Sequence, residues 1–205
     1  MKRFALILAI CLFLISCKGG GTRLVEKPTI AKINIQVNGK DSVMDLKSAL
    51  MRVTPRQSSD PAYSYAEYNF TLGNFDLTDN KALEAALKAG TAEIVFFRVL
   101  GPSGSTKDTP LTVGTYSADA KGLPKYDILS LKIFTIVNGK QTWVGSNVSP
   151  VYDTKGEVKI TAIEGDLIKG EIDLSTGTIL KARGNFTAQH AFDKTFADNP
   201  NVNEP

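Results

Sequence analysis

The chain has 205 residues, 42% of them hydrophobic and 22% charged, which is enough for one domain with a sizeable core. Its 24 basic and 21 acidic residues balance too evenly for the concentrated positive field that a nucleic-acid-binding surface needs. A single histidine, His190, excludes two-histidine metal sites and leaves little room for imidazole chemistry.

The first element is the N-terminal stretch MKRFALILAICLFLISC. Lys2 and Arg3 precede an apolar run from Phe4 to Ile15, and Ser16 and Cys17 follow. A basic start, a short apolar core and a small residue before a cut site form a secretory signal. The run is shorter than the roughly 20 apolar residues of a membrane-spanning helix. Leu14-Ile15-Ser16-Cys17 resembles the lipobox of bacterial lipoproteins, with an aliphatic residue at −3, a small one at −1 and then cysteine. The resemblance implies cleavage between Ser16 and Cys17, leaving residues 1–16 as signal peptide, and a covalent lipid on Cys17. Each buried methylene contributes about 0.8 kcal/mol, so a diacylated Cys17 holds a protein on a membrane without a spanning segment. Lys18 stands where an aspartate would mark inner-membrane retention in enterobacteria-like systems, so the resemblance favours the outer membrane.

Removing the first 16 residues from 205 leaves 189, and losing Lys2 and Arg3 takes the basic count from 24 to 22 against 21 acids. Cys11 leaves with the signal and Cys17 becomes the anchor, so no thiol remains for a disulfide, catalysis or metal ligation. Residues 17–28 read as a lipidated flexible tether on the strength of Gly19-Gly20-Gly21. Residues 29–192 then form a single β-rich domain. Residues 193–205, polar with Pro200 and Pro205, form a frayed tail.

Within the domain the pattern is mostly that of strands. Ile33, Ile35 and Val37 alternate with polar residues up to the hairpin turn Asn38-Gly39. Tyr68, Phe70 and Leu72 alternate, and the apolar phase then slips to Phe75 and Leu77, which predicts a bulge or bend at Gly73-Asn74. Asn80 to Ala89 predicts the one helix, with Leu83 and Leu87 a turn apart, Thr78, Asp79 or Asn80 as cap and Gly90 as stop. Glu93 to Leu100 is almost continuously apolar, the mark of a strand buried on both faces. Gly101 to Thr106 reads as a turn-rich loop.

Ile128 to Val137 alternates again and turns at Asn138-Gly139, which sets Val137 opposite Lys140, Ile133 opposite Val144 and Phe134 opposite Trp143. Three further runs form a meander: Val158/Ile160/Ala162, Ile168/Gly170/Ile172/Leu174 and Leu180/Ala182/Gly184/Phe186. The fold class that follows is mainly β: an antiparallel β-sandwich or partly closed β-barrel of about nine or ten strands with one short helix. The G-x-I-x-L of Gly170–Leu174 and the G-x-F of Gly184–Phe186 are similar to strand endings in small β-rich bacterial lipoproteins, a likeness that implies no activity.

Catalytic patterns are sparse. Gly101–Ser105 lacks a phosphate-binding motif and its lysine, and no Gly-x-Ser-x-Gly elbow occurs. Asp76, Asp79, Asp119, Asp127, Asp153, Glu157, Glu164 and Asp166 stand in or beside predicted turns, where aspartate commonly bonds its own backbone. A glycosidase would need two of them about 5–10 Å apart across a cleft, and a calcium site would be irregular, without the EF-hand spacing. His190 falls in phase with Phe186 near a strand end, as a structural histidine does.

The aromatics carry the functional expectation. Tyr63 and Tyr65 fall on the polar phase, and Phe134 and Trp143 share the less apolar face of their hairpin. Exposed there, they would suit a protein or sugar partner; covered by a second layer or by the helix, they would be structural. The sequence therefore points to a lipid-anchored envelope module with no enzyme activity and no cofactor beyond the lipid on Cys17. It would bind an envelope protein or a glycan. A small-ligand carrier with a calycin-like barrel cavity is the alternative, and a carboxylate-based envelope hydrolase comes third.

Overall fold

A computed structural model describes residues 30–56, 64–117, 129–137, 140–144 and 154–191. The segments 1–16 and 17–28, including Ser16 and Cys17, lie outside the described residues, as do Tyr63, Asp119, Asp127, Asp153 and the tail 193–205.

The described residues form eleven strands and one helix. The strands are β1 (Ala31–Val37), β2 (Lys40–Leu46), β3 (Ser48–Arg56), β4 (Tyr65–Gly73), β5 (Ile94–Leu100), β6 (Gly114–Ser117), β7 (Leu129–Val137), β8 (Lys140–Val144), β9 (Thr154–Glu164), β10 (Leu167–Thr176) and β11 (Leu180–His190). The helix, α1, spans Asn80–Ala89 between β4 and β5. All strands belong to one sheet of order β6-β9-β10-β11-β3-β4-β5-β7-β8, with β1 and β2 branching from β11. The fold is mainly β, and the sheet does not close into a barrel.

Local chemistry sets most of these elements. Asn38 (φ 49°) and Gly39 (φ 77°) make the left-handed two-residue turn whose twist matches its flanking strands, and Val37 pairs with Lys40. The β7–β8 register is the one the second Asn-Gly turn predicts: Val137 faces Lys140, Ile133 faces Val144 and Phe134 faces Trp143. At α1 the Asp79 carboxylate accepts the Lys81 N–H at 2.9 Å, and Gly90, left-handed at φ 69°, ends the helix as the Leu87 carbonyl accepts its N–H.

Two strands escaped the alternation rule. In β3, Ala49, Leu50 and Met51 are buried in succession, so both faces are apolar and no period of two shows. β6 has only four residues, one of them glycine. The phase slip after Leu72 takes the form of a bend, one of the two expected forms: β4 ends at Gly73, the chain bends at Asn74, and Phe75 and Leu77 pack beneath α1. One phase expectation is corrected. In β9 a bulge shifts the register between Ile160↔Gly170 and Ala162↔Lys169, so Ile163, not Ala162, faces Ile168.

The sheet folds on itself. β2, paired with β1, passes through Lys47 directly into β3, which pairs with β4 instead. Packing then brings Phe186 of β11 against Phe70 and Phe97 of β4 and β5, at centroid distances of 5.2 Å each; those two stack on one another at 4.6 Å. This main core is sandwich-like, with Ile33, Ile35, Ile160, Ile172 and Leu174 on one side and Leu72, Val95, Leu131 and Ile133 on the other.

A second core lies on the opposite face of β3, β5 and β7, where Leu83 of α1 joins Leu50, Ile94, Phe134, Phe75 and Leu77. β5 is therefore buried on both faces, as its apolar run predicts: Val95, Phe97 and Val99 enter the main core and Ile94 enters the second. In the other half Gly184 permits close approach, since a Cβ there would lie 2.0 Å from the Lys32 carbonyl oxygen of β1.

Candidate functional site

A concavity forms where the two halves of the sandwich meet. Along one edge β11 pairs first with β1 and then, in parallel, with β3 through Gln189↔Leu50 and His190↔Met51. The Ala191 N–H donates to the Met51 carbonyl at 2.9 Å, and the His190 N–H donates to the Asp166 carbonyl at 2.7 Å. Beside this seam lies a cleft of about 540 Å³. Met51 and Val53 of β3, Ile163 and Ile168 of the β9–β10 hairpin, and Leu111 of the β5–β6 loop give it an apolar lining. Lys107, Asp108 and His190 supply polar groups.

The loop wall is pinned. Ser105 is buried, and its hydroxyl accepts the Ala66 N–H at 2.8 Å. Gly101 and Gly104 donate their N–H groups to the carbonyls of Ala66 and Ser64 at 2.8 and 2.9 Å. The Tyr68 hydroxyl donates to the Thr109 carbonyl at 2.9 Å, and burial pushes that phenol up to about 12. A loop tied to a core strand at four points holds its wall before a ligand arrives, which lowers the ordering cost of binding.

Burial holds the His190 imidazole below its ordinary range, and the nearby Asp166 carboxylate offsets part of that effect. At neutral pH the ring is therefore uncharged, with one nitrogen to donate and one to accept. An apolar lining beside a neutral imidazole, a lysine and an aspartate can hold an apolar group and orient a polar one. Among the described residues no three carboxylate, histidine or cysteine side chains converge as a metal cage requires.

The expected aromatic platform is not what the described residues present. Tyr65 is only 3% exposed and Phe134 only 1%, which corrects the exposed placement of both. Alternation assigns each ring a side of the sheet but leaves open what lies over that side. Phe134 stands on the less apolar face of its hairpin, and α1 and its flanking loop cover it. Tyr63 and the Trp143 side chain lie outside the described residues.

The carboxylates are dispersed. Asp76 accepts the Thr78 N–H and hydroxyl at 2.8 and 2.7 Å, Asp79 caps α1, and Glu164 pairs with Lys169 at 2.8 Å. Glu157 faces Asp173 across β9 and β10 on the outer face, where a shallow hollow of about 330 Å³ is also lined by Lys159, Glu171, Arg183 and Asn34. Arg183 binds Asp173 at 2.8 Å there, so the hollow carries a mixed-charge grid rather than an isolated acid pair.

Sequence reasoning found His190 but not the cleft. Its walls come from residues near 51, 107–111, 163–168 and 190, and no local pattern links them. Two signals were present: Ile163 breaks the phase of β9, and Leu111 is an apolar residue within a loop. No protein-family profile matches the chain, and neither does any curated protein sequence or solved structure.

Proposed function

We propose that this protein is a lipid-anchored binding module of the bacterial envelope, without enzyme activity, that takes an apolar segment of a partner protein in the Met51–His190 cleft. The observation that carries the binding half is the pinned cleft, with its apolar lining and few polar groups. Met51, Val53, Leu111, Ile163 and Ile168 suit an aliphatic or aromatic side chain better than a sugar ring, which calls for exposed aromatic planes and dense polar contacts. The anchoring half rests on Leu14-Ile15-Ser16-Cys17, with Lys18 favouring the outer membrane.

The cleft volume favours one second reading, a small-ligand carrier, because about 540 Å³ falls within the ~300–1,000 Å³ range of small-molecule pockets. Such a ligand would lie at the end of the sandwich, since Phe70, Phe97 and Phe186 occupy the space between its halves.

Two experiments test the proposal. Labelling with a palmitate analogue should mark the wild-type protein and leave Cys17→Ala unlabelled; label on that variant overturns the anchor. Cross-linking in intact cells from a photoreactive residue at Ile163, which is 39% exposed, should trap a defined envelope protein. Ile168→Trp, which fills the cleft, should abolish that adduct. Persistence of the adduct overturns the cleft as the site, and recovery of a small molecule instead selects the carrier.

A further inference from the structure

The two halves of the sandwich share one strand ladder among the described residues, the parallel pairing of Gln189 and His190 with Leu50 and Met51. Every other ladder stays within a half: β6, β9, β10, β11, β1 and β2 on one side, and β3, β4, β5, β7 and β8 on the other. The sole histidine of the chain lies on this two-residue seam and lines the adjoining cleft. Its own N–H is bonded to the Asp166 carbonyl of the β9–β10 turn, and the next N–H, that of Ala191, crosses the seam to Met51.

We propose that His190 is an acid-sensitive latch: with a neutral imidazole the β11–β3 seam is closed, and proton uptake at that ring opens the seam and the adjoining cleft wall. This device does not depend on what the cleft binds.

Charged groups reach the cleft around His190 from the β9–β10 turn and the β5–β6 loop. The β9–β10 turn contributes Asp166, whose carboxylate favours the imidazolium, and Glu164, which is already engaged by Lys169. The β5–β6 loop contributes Lys107 and Asp108 in adjacent positions and of opposite sign. β3 contributes Met51 and Val53 on the cleft side, while alternation turns Arg52 to the other face. Burial outweighs Asp166, so the closed seam disfavours the charged ring.

The direction of the pH effect follows. A histidine held below its free value of 6.5 favours the closed state above that pH. The advantage is lost as pH falls from 6.5 through the lower, closed-state titration point. Opening of this kind is a local event and leaves the central strands paired.

Because the chain has one histidine, its imidazole gives a single resonance set. The test follows that resonance in the full chain from pH 8 to pH 4.5, together with amide protection factors. The ring should titrate below 6.5, and protection at Ala191, whose N–H crosses the seam, should fall along the same curve while that of Ile172 on β10 holds. His190→Gln should make seam protection independent of pH across this range. Asp166→Asn, at an exposed turn position, should lower the titration point of the ring further. The latch is overturned if the ring titrates at or above 6.5, or if seam protection ignores its titration. It is equally overturned if His190→Gln keeps the acid loss, which would then belong to a carboxylate. An unchanged titration in Asp166→Asn removes the facing carboxylate and with it the geometry described.

Discussion

The two halves of the sandwich solve the same burial problem differently. The half built from β1, β9, β10 and β11 buries one face and leaves the other to water: Ile172 and Leu174 point inward, while Glu171 and Asp173 stand outside in a charged grid. The half built from β3, β4, β5 and β7 buries its inner face in the same core and much of its outer face under α1. In the open half each strand needs only alternation and glycines where backbones crowd. In the roofed half β5 and the Ala49-Leu50-Met51 stretch of β3 become continuously apolar, and a helix supplied from the β4–β5 connection covers their outer face.

Substitutions separate the two solutions. The largest effect should come from Gly184→Val in the open half. Its Cβ would sit 2.0 Å from the Lys32 carbonyl oxygen, so β1 must move off β11. Circular dichroism should show loss of the cooperative thermal transition, and a native-like melt would show that this approach is not tight. Phe186→Ala comes next, because that ring joins the halves. Denaturant melts should report a loss of about 3–5 kcal/mol as one transition. A biphasic melt would mean that the halves fold separately.

Leu83→Ala acts on the roof alone. A loss of about 2 kcal/mol is expected, with faster hydrogen exchange in α1 and on β5 but not on β10. Uniform acceleration would instead make the roof part of the main cooperative unit. The smallest effect is that of Asp79→Ala, which removes the acceptor for the Lys81 N–H and should cost about 1 kcal/mol, read from the same melts. No change there would mean that packing alone holds the helix start.

What could be read from the chain follows the range of the physics involved. The registers across both Asn-Gly turns and the limits of α1 depend on two or three adjacent residues, and the structure places them as read, though Asn138-Gly139 itself lies outside the described residues. The double burial of β5 was legible because seven successive residues carry it. β3 was not legible, because Ala49-Leu50-Met51 precedes polar residues and Pro55, and neither period persists. The bulge in β9 was hidden by Ala162, a residue compatible with either face. Exposure of Tyr65 and Phe134 was left open between a free and a covered face, and the structure covers both, because the sequence shows on which side a ring stands and not what covers it.

The candidate site was the least legible feature. His190 could be singled out by being alone, yet its significance comes from Met51, Leu111, Ile163 and Asp166, which reach it only after the sheet has folded over.

By itself, then, the sequence determined strands, turns, one helix and its caps, because backbone preference and alternation act between neighbours along the chain. Tertiary structure decided which faces meet, which aromatics are roofed and where the seam and its cleft form. Those outcomes depend on contacts between segments more than a hundred residues apart, such as Met51 with His190, and no local pattern encodes such a meeting.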